Sequence, residues 1–411
     1  MQKMKNESLK PGWKVWRFDQ MATNVNVRID NPSESGMEHY VGLEHLDSDS
    51  LKIRRWGSPD DVEATKLMFK KGDIIFGRRR AYQRKLGVAD FDGICSAHAM
   101  VLRAKPDVVL PEFLPFFMQS DLFMNRAVEI SVGSLSPTIN WKTMAVQEFA
   151  LPPIEDQIRL VDLLTCADES LDSYASALDA AKAMLRAGLV SIFAREGFSP
   201  GKMEISQAAV RPGWRLVSAK DISVAPITKG ATPTSATGSL DTGVPFLKVY
   251  NLTFDGSLDF SVDPTFVTSD VHAKELGRSQ VQGADVLMNI VGPPLGKVSI
   301  VPSDFPSANI NQAIARFRIR ADIPPRYFAA YLLSDWAQRW LQTRSKKTSG
   351  QQNLTLELCQ TLPVPLPPVL LLGDVTSAID ALFESVRLVE KRRSATARTY
   401  KTVLTEVFGD V

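Results

Sequence analysis

The sequence predicts an α+β protein built twice over: two similar globular heads and two long helices packed antiparallel as a coiled coil, the halves related by a pseudo-twofold internal repeat. Three observations predict it. Leu151-Pro152-Pro153-Ile154 recurs 215 positions later as Leu366-Pro367-Pro368-Val369. After the first copy, Leu164, Ala167, Leu171, Tyr174, Leu178, Ala181, Leu185, Gly188 and Ile192 alternate steps of three and four, the seam of a coiled coil. The same register in the second copy gives Ile379, Leu382, Val386, Val389, Arg393, Thr396, Tyr400, Val403 and Val407.

The elements follow in order. Residues 1–10 read as a loose leader, and the first head extends to residue 154. Short β-rich runs at Tyr40–Leu43, Asp73–Phe76 and Ala99–Leu102 are separated by Gly, Asp and Pro. Pro111 opens a helical stretch to Val128 whose Phe113, Leu114, Phe117, Met118, Leu122, Phe123 and Ala127 form one buried face. A polar loop at 131–140 and a short helix or strand lead to the Leu-Pro-Pro signal. The first long helix spans 155–196, where Glu196-Gly197-Phe198-Ser199-Pro200-Gly201 stops it. A linker at 197–210 precedes a second head at 211–368, and the last helix lies within 369–411, from about Gly373 to Phe408.

Motifs repeat between the heads as well. Pro11-Gly12-Trp13 returns as Pro212-Gly213-Trp214, Tyr40-Val41-Gly42-Leu43 faces Phe246-Leu247-Lys248-Val249, Gly72-Asp73-Ile74-Ile75 faces Ala284-Asp285-Val286-Leu287, and Pro111-Glu112-Phe113 faces Pro325-Arg326-Tyr327. Each long helix would reach about 60 Å at 1.5 Å per residue and cannot bury its seam alone, so the two are expected to pair and hold the heads at a fixed separation. Arg393 and Thr396 interrupt the second seam. They fix register, or they mark a frayed stretch facing solvent or another subunit.

Composition excludes several classes. No apolar run approaches a membrane span and the first residues lack an apolar signal core, so a cytoplasmic protein is expected. Cys95, Cys166 and Cys359 are too few and too scattered for a disulfide framework or zinc cluster, and Cys166 reads as a small buried thiol. His39, His45, His98 and His272 lack metal-ligand spacing. Gly292-Pro293-Pro294-Leu295-Gly296-Lys297-Val298-Ser299 has the wrong glycine spacing for a phosphate loop and Val298 where a hydroxyl must bind metal. No nucleophile elbow or dinucleotide loop is present, and binding is the reading that remains.

Net charge is only +2, but its distribution is uneven. Arg78, Arg79, Arg80, Arg84 and Lys85 crowd five cations into eight residues around Tyr82 and Gln83. Guanidinium forks suit phosphate oxygens, while Tyr and Gln touch sugars or base edges; a solvated surface turn would also carry such charges. The polar loop offers Ser134, Ser136, Thr138, Asn140 and Lys142, and its counterpart in the second copy offers Arg344, Lys346, Lys347, Ser349, Gln351 and Gln352. Recurrence at the same place in both copies argues against mere connectors. A third segment, Ile227 to Thr234, holds Lys229, Thr232 and Thr234 on a Gly-Ala-Thr-Pro turn whose backbone donors could approach phosphate, and Lys297 adds a further cation.

The run Gly77 to Lys85, the stretch Tyr40 to Leu46, the Pro137-Thr138-Ile139-Asn140-Trp141 loop, Gly230-Ala231-Thr232-Pro233 with Val244 to Val249, and both Leu-Pro-Pro signals closely resemble the DNA specificity subunit of type I restriction-modification systems, over residues 11–408. One departure stands out: the family commonly follows Leu-Pro-Pro with a Glu-Gln helix start, kept as Glu155-Asp156-Gln157 in the first copy and replaced by Val369-Leu370-Leu371-Leu372-Gly373 in the second. The resemblance implies two target recognition domains reading the halves of a split site in double-stranded DNA, with the helices as spacer. It implies a non-catalytic chain that recruits two methyltransferase subunits and two motor/endonuclease subunits, with S-adenosylmethionine, ATP and Mg on those partners. Ala175, Ala183 and Ala187 are small exposed candidates for close helix approach on the docking surface for those partners, though ordinary helix propensity explains them as well. A protein-binding coiled-coil scaffold and a freestanding DNA-modifying enzyme are the rival readings.

Overall fold

The computed structural model describes residues 9–194, 205–233, 242–348 and 350–409, with the side chains of 347 and 348 left aside. The predicted helix stop at 196–201 lies outside these residues. The chain divides into two compact units, residues 1–174 with 392–411, and residues 175–391. Each unit takes its own head, part of the long helix that leaves that head and the end of the other.

Both units are built to one plan. In the first, Lys14–Arg17 pairs antiparallel with Glu148–Leu151, joining the head's entrance to its exit. In the second, Arg215–Ser218 pairs in the same way with Pro363–Leu366. A four-stranded antiparallel sheet follows, in the order Ala22–Val25, Met100–Ala104, Ile74–Phe76, Leu86–Val88. Its counterpart runs Thr228–Lys229, Ile314–Phe317, Val286–Asn289, Val298–Ile300. A second four-stranded sheet in each head contains one parallel pair, Tyr40–Val41 with Ile94–Cys95 and Phe246–Leu247 with Asn309–Ile310. Buried carboxylates tie the antiparallel sheets together: Asp73 accepts two bonds from Arg103 at 2.7 and 2.9 Å, and Asp285 accepts two from Arg318, both at 2.7 Å. Each carboxylate also caps a turn, Asp73 at the Lys70 N–H and Asp285 at that of Gln282.

The first long helix covers Ile154–Phe193 and the second Val369–Phe408. Gln157, fully buried, fastens the first to its head: its side-chain oxygen accepts the Leu110 N–H, while its amide donates to the Val108 and Pro152 carbonyls. The register-equivalent residue of the second copy is the buried Leu372, so that junction is apolar. The second helix begins four residues before the expected Gly373, leaving Val369 and Leu370 exposed.

The helices pair antiparallel within the second unit, where Leu178 and Ala181 pack on Val386 and Gly188 faces Leu382. Each helix ends in a core. Phe408 packs on Phe113 and Phe117 of the first unit at 5.6 Å between ring centroids. Phe193, its equivalent 215 positions earlier, packs on Tyr327 and Tyr331 of the second at 5.5 and 5.2 Å.

Four expectations are corrected. The helical stretch 111–128 is two helices, Phe113–Gln119 and Asp121–Glu129, because Ser120 turns extended and its hydroxyl caps the Phe123 N–H. Pro111 precedes both. Cys166 is exposed, lying off the seam between Leu164 and Ala167, whereas Cys95 and Cys359 are buried. The second polar loop is instead a hairpin, Lys346–Thr348 with Gln351–Asn353, turned at Gly350 with a φ of 83°. Ala175 is half-buried rather than exposed; Ala183 and Ala187 are exposed as expected. Of the two polar seam residues, Arg393 is exposed and Thr396 half-buried.

Candidate nucleic-acid interface

In the first head the strand Ile74–Phe76 runs out into the arginine cluster, and the polar loop folds back onto it. Ile139 donates its N–H to the Arg78 carbonyl at 3.0 Å and Arg80 donates to that of Pro137 at 2.7 Å. Val132 and Thr138 close the loop with a reciprocal pair of bonds. The two polar segments, some fifty residues apart in sequence, thus form one surface. Arg80 and Arg84 take the left-handed conformation at φ 58° and 52°, an uncommon state for non-glycine residues. They bracket a single 3-10 turn, Ala81–Gln83, which buries Ala81 and leaves Tyr82 54% exposed at its tip.

The five cations divide by partner. Arg84 is held by Asp49, by Asp121 at 2.9 Å and by the Gln119 carbonyl at 2.6 Å, and Lys85 Nζ donates to the Leu43 carbonyl at 2.7 Å. These two hold the head together. Arg78 donates to the Ala97 carbonyl. Arg79 lies 3.3 Å from His98, and the exposed Arg80 donates to the Ser136 hydroxyl at 3.3 Å. Burial lowers the pKa of His98, and the cations of Arg79, Arg78 and Lys66 lower it further, which marks this surface as electropositive. Ser134 and Lys142 are exposed. Asn140 stands at the N-cap position of Trp141–Ala145 yet its side chain makes no capping bond, which leaves the amide available.

The second head repeats the attachment. Leu354 donates to the Ile290 carbonyl at 2.9 Å, where Ile139 meets Arg78 in the first. The hairpin pairs with Val291–Gly292, exposing Lys346 and Gln351 and half-burying Gln352. Arg344 lies over the Trp340 ring at 4.9 Å. Lys297 matches Lys85 in place and direction, its Nζ facing the Val249 carbonyl at 3.5 Å. No arginine cluster follows the strand here: Asn289 closes that turn, bonding the Val291 and Pro294 carbonyls. The backbone donors expected to approach phosphate in the 227–234 segment are used by the sheet, Gly230 N–H to the Ile314 carbonyl and Ala231 N–H to that of Ile310. Gly230 is required because a Cβ there would meet the Ile310 carbonyl oxygen at 1.9 Å. Thr232 bonds Gln312 at 2.6 Å and Lys229 is exposed. Thr234 and Ser349, like the Lys347 side chain, lie outside the described residues.

A cavity of about 220 Å³ opens beside Arg78, lined among others by Asn24, Asn26, Arg28, Thr65 and Trp141. Sequence reasoning passed over Asn24, Asn26 and Arg28, because polar residues at every second position are equally the pattern of a solvated edge. Among the described residues no cluster of three or more His, Cys, Asp or Glu could hold a metal, and no helix is long and apolar enough to cross a membrane.

Residues 54–176, which include the arginine cluster and the polar loop, match the family model described as the type I restriction modification DNA specificity domain. The chain is 27% identical over 174 residues to the EcoDI specificity subunit of Escherichia coli, an alignment covering 42% of this chain and 37% of that protein, little more than a third of its length. A chain from a solved type I R-M system, described as showing complex assembly and conformational transition, aligns with TM-score 0.57 at 22% identity, covering 98% of this chain and 99% of its own. The type I restriction-modification S subunit from M. genitalium aligns with TM-score 0.58 at 16% identity, covering 99% and 98%. At such identities these structures establish the fold: α+β heads and two long helices.

Proposed function

We propose that this chain is the DNA-reading, non-catalytic subunit of a type I restriction-modification complex, each head reading one half of a bipartite duplex site. The observation that carries the reading is the joining of Arg79 and Arg80 to the 131–140 loop as one electropositive, hydrogen-bonding surface, with a hairpin attached at the same place in the second head. Cations with few internal partners suit phosphates, while the amides and hydroxyls of Gln83, Asn140, Ser134, Gln351 and Gln352 suit base edges. Arg79, Arg80, Lys142, Lys229 and Lys346 are the phosphate-contacting candidates. Arg84, Lys85 and Lys297 act mainly by shaping the surface.

Two methyltransferase subunits and two motor/endonuclease subunits are the proposed partners, S-adenosylmethionine, ATP and Mg binding to them. The paired helices set the spacer between half-sites, since neighbouring major grooves on one face of B-DNA recur about every 34 Å. The test is selection from a random duplex pool by the purified chain. Enrichment of a split motif with a fixed gap is the expected result, and binding that is indifferent to sequence and salt would favour a protein-binding scaffold. Removing seven residues from the first long helix should change the gap, and an unchanged gap would count against the spacer.

A further inference from the structure

The cavity beside Arg78 has the chemistry of a base-reading pocket. Asn24 on the strand Ala22–Val25, Asn26 just past its end and Arg28 all line it, with Thr65 and Trp141 on other walls. None of the lining residues is acidic. The amides of Asn24 and Asn26 have no hydrogen-bond partner among the described residues, and the buried Nε of Arg78 is unsatisfied. Buried donors normally find partners, and one left open at the wall of a polar cavity points to a ligand that supplies an acceptor. An amide presents a donor and an acceptor side by side, which matches a base edge, whereas phosphate offers acceptors only.

The second head gives an independent indication. Val25 pairs with Val101 two residues before Arg103, and Thr228 pairs with Arg316 two residues before Arg318. With the Arg103–Asp73 and Arg318–Asp285 pairs aligned, Asn26 falls on Lys229, an exposed cation on the same edge.

We propose that the edge strand Ala22–Val25 and the residue that follows it, presenting Asn24 and Asn26 beside Arg78, form a base-reading element of the first head, and that the second head uses the same edge through Lys229. This rests on the DNA-reading function above. The heads then differ in kind at one place, paired amides in one and a lone ammonium in the other. The first edge discriminates a base pair; the second adds sequence-independent affinity.

The test compares the full-length wild-type chain with Asn24→Ala/Asn26→Ala and with Thr23→Ala on the opposite face of the strand, using a randomised duplex pool and titrations at several salt concentrations. The double variant should lose about 10-fold discrimination at one or two adjacent base pairs of a single half-site. Other positions and the salt slope should stay as in wild type, and Thr23→Ala should match wild type throughout. Asn26→Ser provides the same readout if the double variant melts low. An unaltered motif overturns the pocket while leaving the DNA-reading function intact, and so does a uniform loss with a shallower salt slope, which would mean a phosphate contact. A wild-type chain that enriches no motif overturns both.

Discussion

Phe408 should be as important to the first head as any residue within it. The ring is 1% exposed and packs between Phe113 and Phe117, two residues nearly 300 positions earlier in the chain. Phe408→Ala removes the transfer energy of a buried ring and leaves a void, together about 3 to 5 kcal/mol. The two edge and tilted ring contacts place it toward the upper part of that range. A domain stable by roughly 5 to 15 kcal/mol would lose about a fifth of its margin at the least. Native-state hydrogen exchange locates the loss: amides of Phe113–Gln119 and Asp121–Glu129 should lose protection while those of Pro325–Leu333 and Asp335–Arg344 keep it. Phe193→Ala should give the converse pattern. A cost below about 1 kcal/mol, or protection lost first at Pro325–Leu333, would refute the assignment of each helix end to these cores.

Three further outcomes are expected. Asp168 on the first long helix has a raised pKa, from burial first and then from neighbouring Asp172, against the opposing pull of Lys52 and Arg54. Its ionised form is disfavoured in the fold, so wild-type stability should decline as pH rises from the ordinary carboxylate range toward the raised value. Asp168→Asn should remove that slope and raise the melting temperature at neutral pH, and superimposable pH profiles would exclude the effect. Arg318→Met should cost about 3 kcal/mol in denaturant titration by leaving Asp285 buried and unpaired, and Arg103→Met less because Arg103 is half exposed; no loss from Arg318→Met would contradict the pairing. Arg80→Ala should lower the salt slope of DNA binding by about one unit at unchanged stability, whereas Arg84→Ala should lower the melting temperature. An Arg84 variant as stable as wild type would undo the division of the cluster.

The repeat carried most of the architecture into view. Heptads of about forty residues are long enough for period to override local propensity, and both helices lie within a few residues of their expected spans. What the pattern could not convey was termination. Ser120 lies in the polar triplet Gln119-Ser120-Asp121, across which the helical spacing of apolar positions carries on, since a serine hydroxyl reaching the Phe123 N–H restarts a helix without interrupting its buried face. Within the candidate site the residue types were visible but their allegiance was not. Arg80 and Arg84 look alike in the sequence, and the difference lies in Asp49 and Asp121, which the fold brings to one of them. Asn24 and Asn26 carry no signal in the sequence that separates them from solvated polar residues, and only the cavity they line distinguishes the case. The Gln157 to Leu372 exchange was legible as a departure, and the structure supplies its meaning: one junction is closed by hydrogen bonds, the other by apolar burial.

The placement of Phe408 also has a consequence during protein synthesis. Strand Glu148–Leu151 completes the first head's own segment, yet the ring that seals its core is made about 260 residues later. At 5 to 20 residues per second the ribosome needs roughly 13 to 50 s to reach it. Through that interval the nascent domain carries an open aromatic cleft, a natural target for chaperones, and synthesis that halts before Phe408 would leave the first head unfinished.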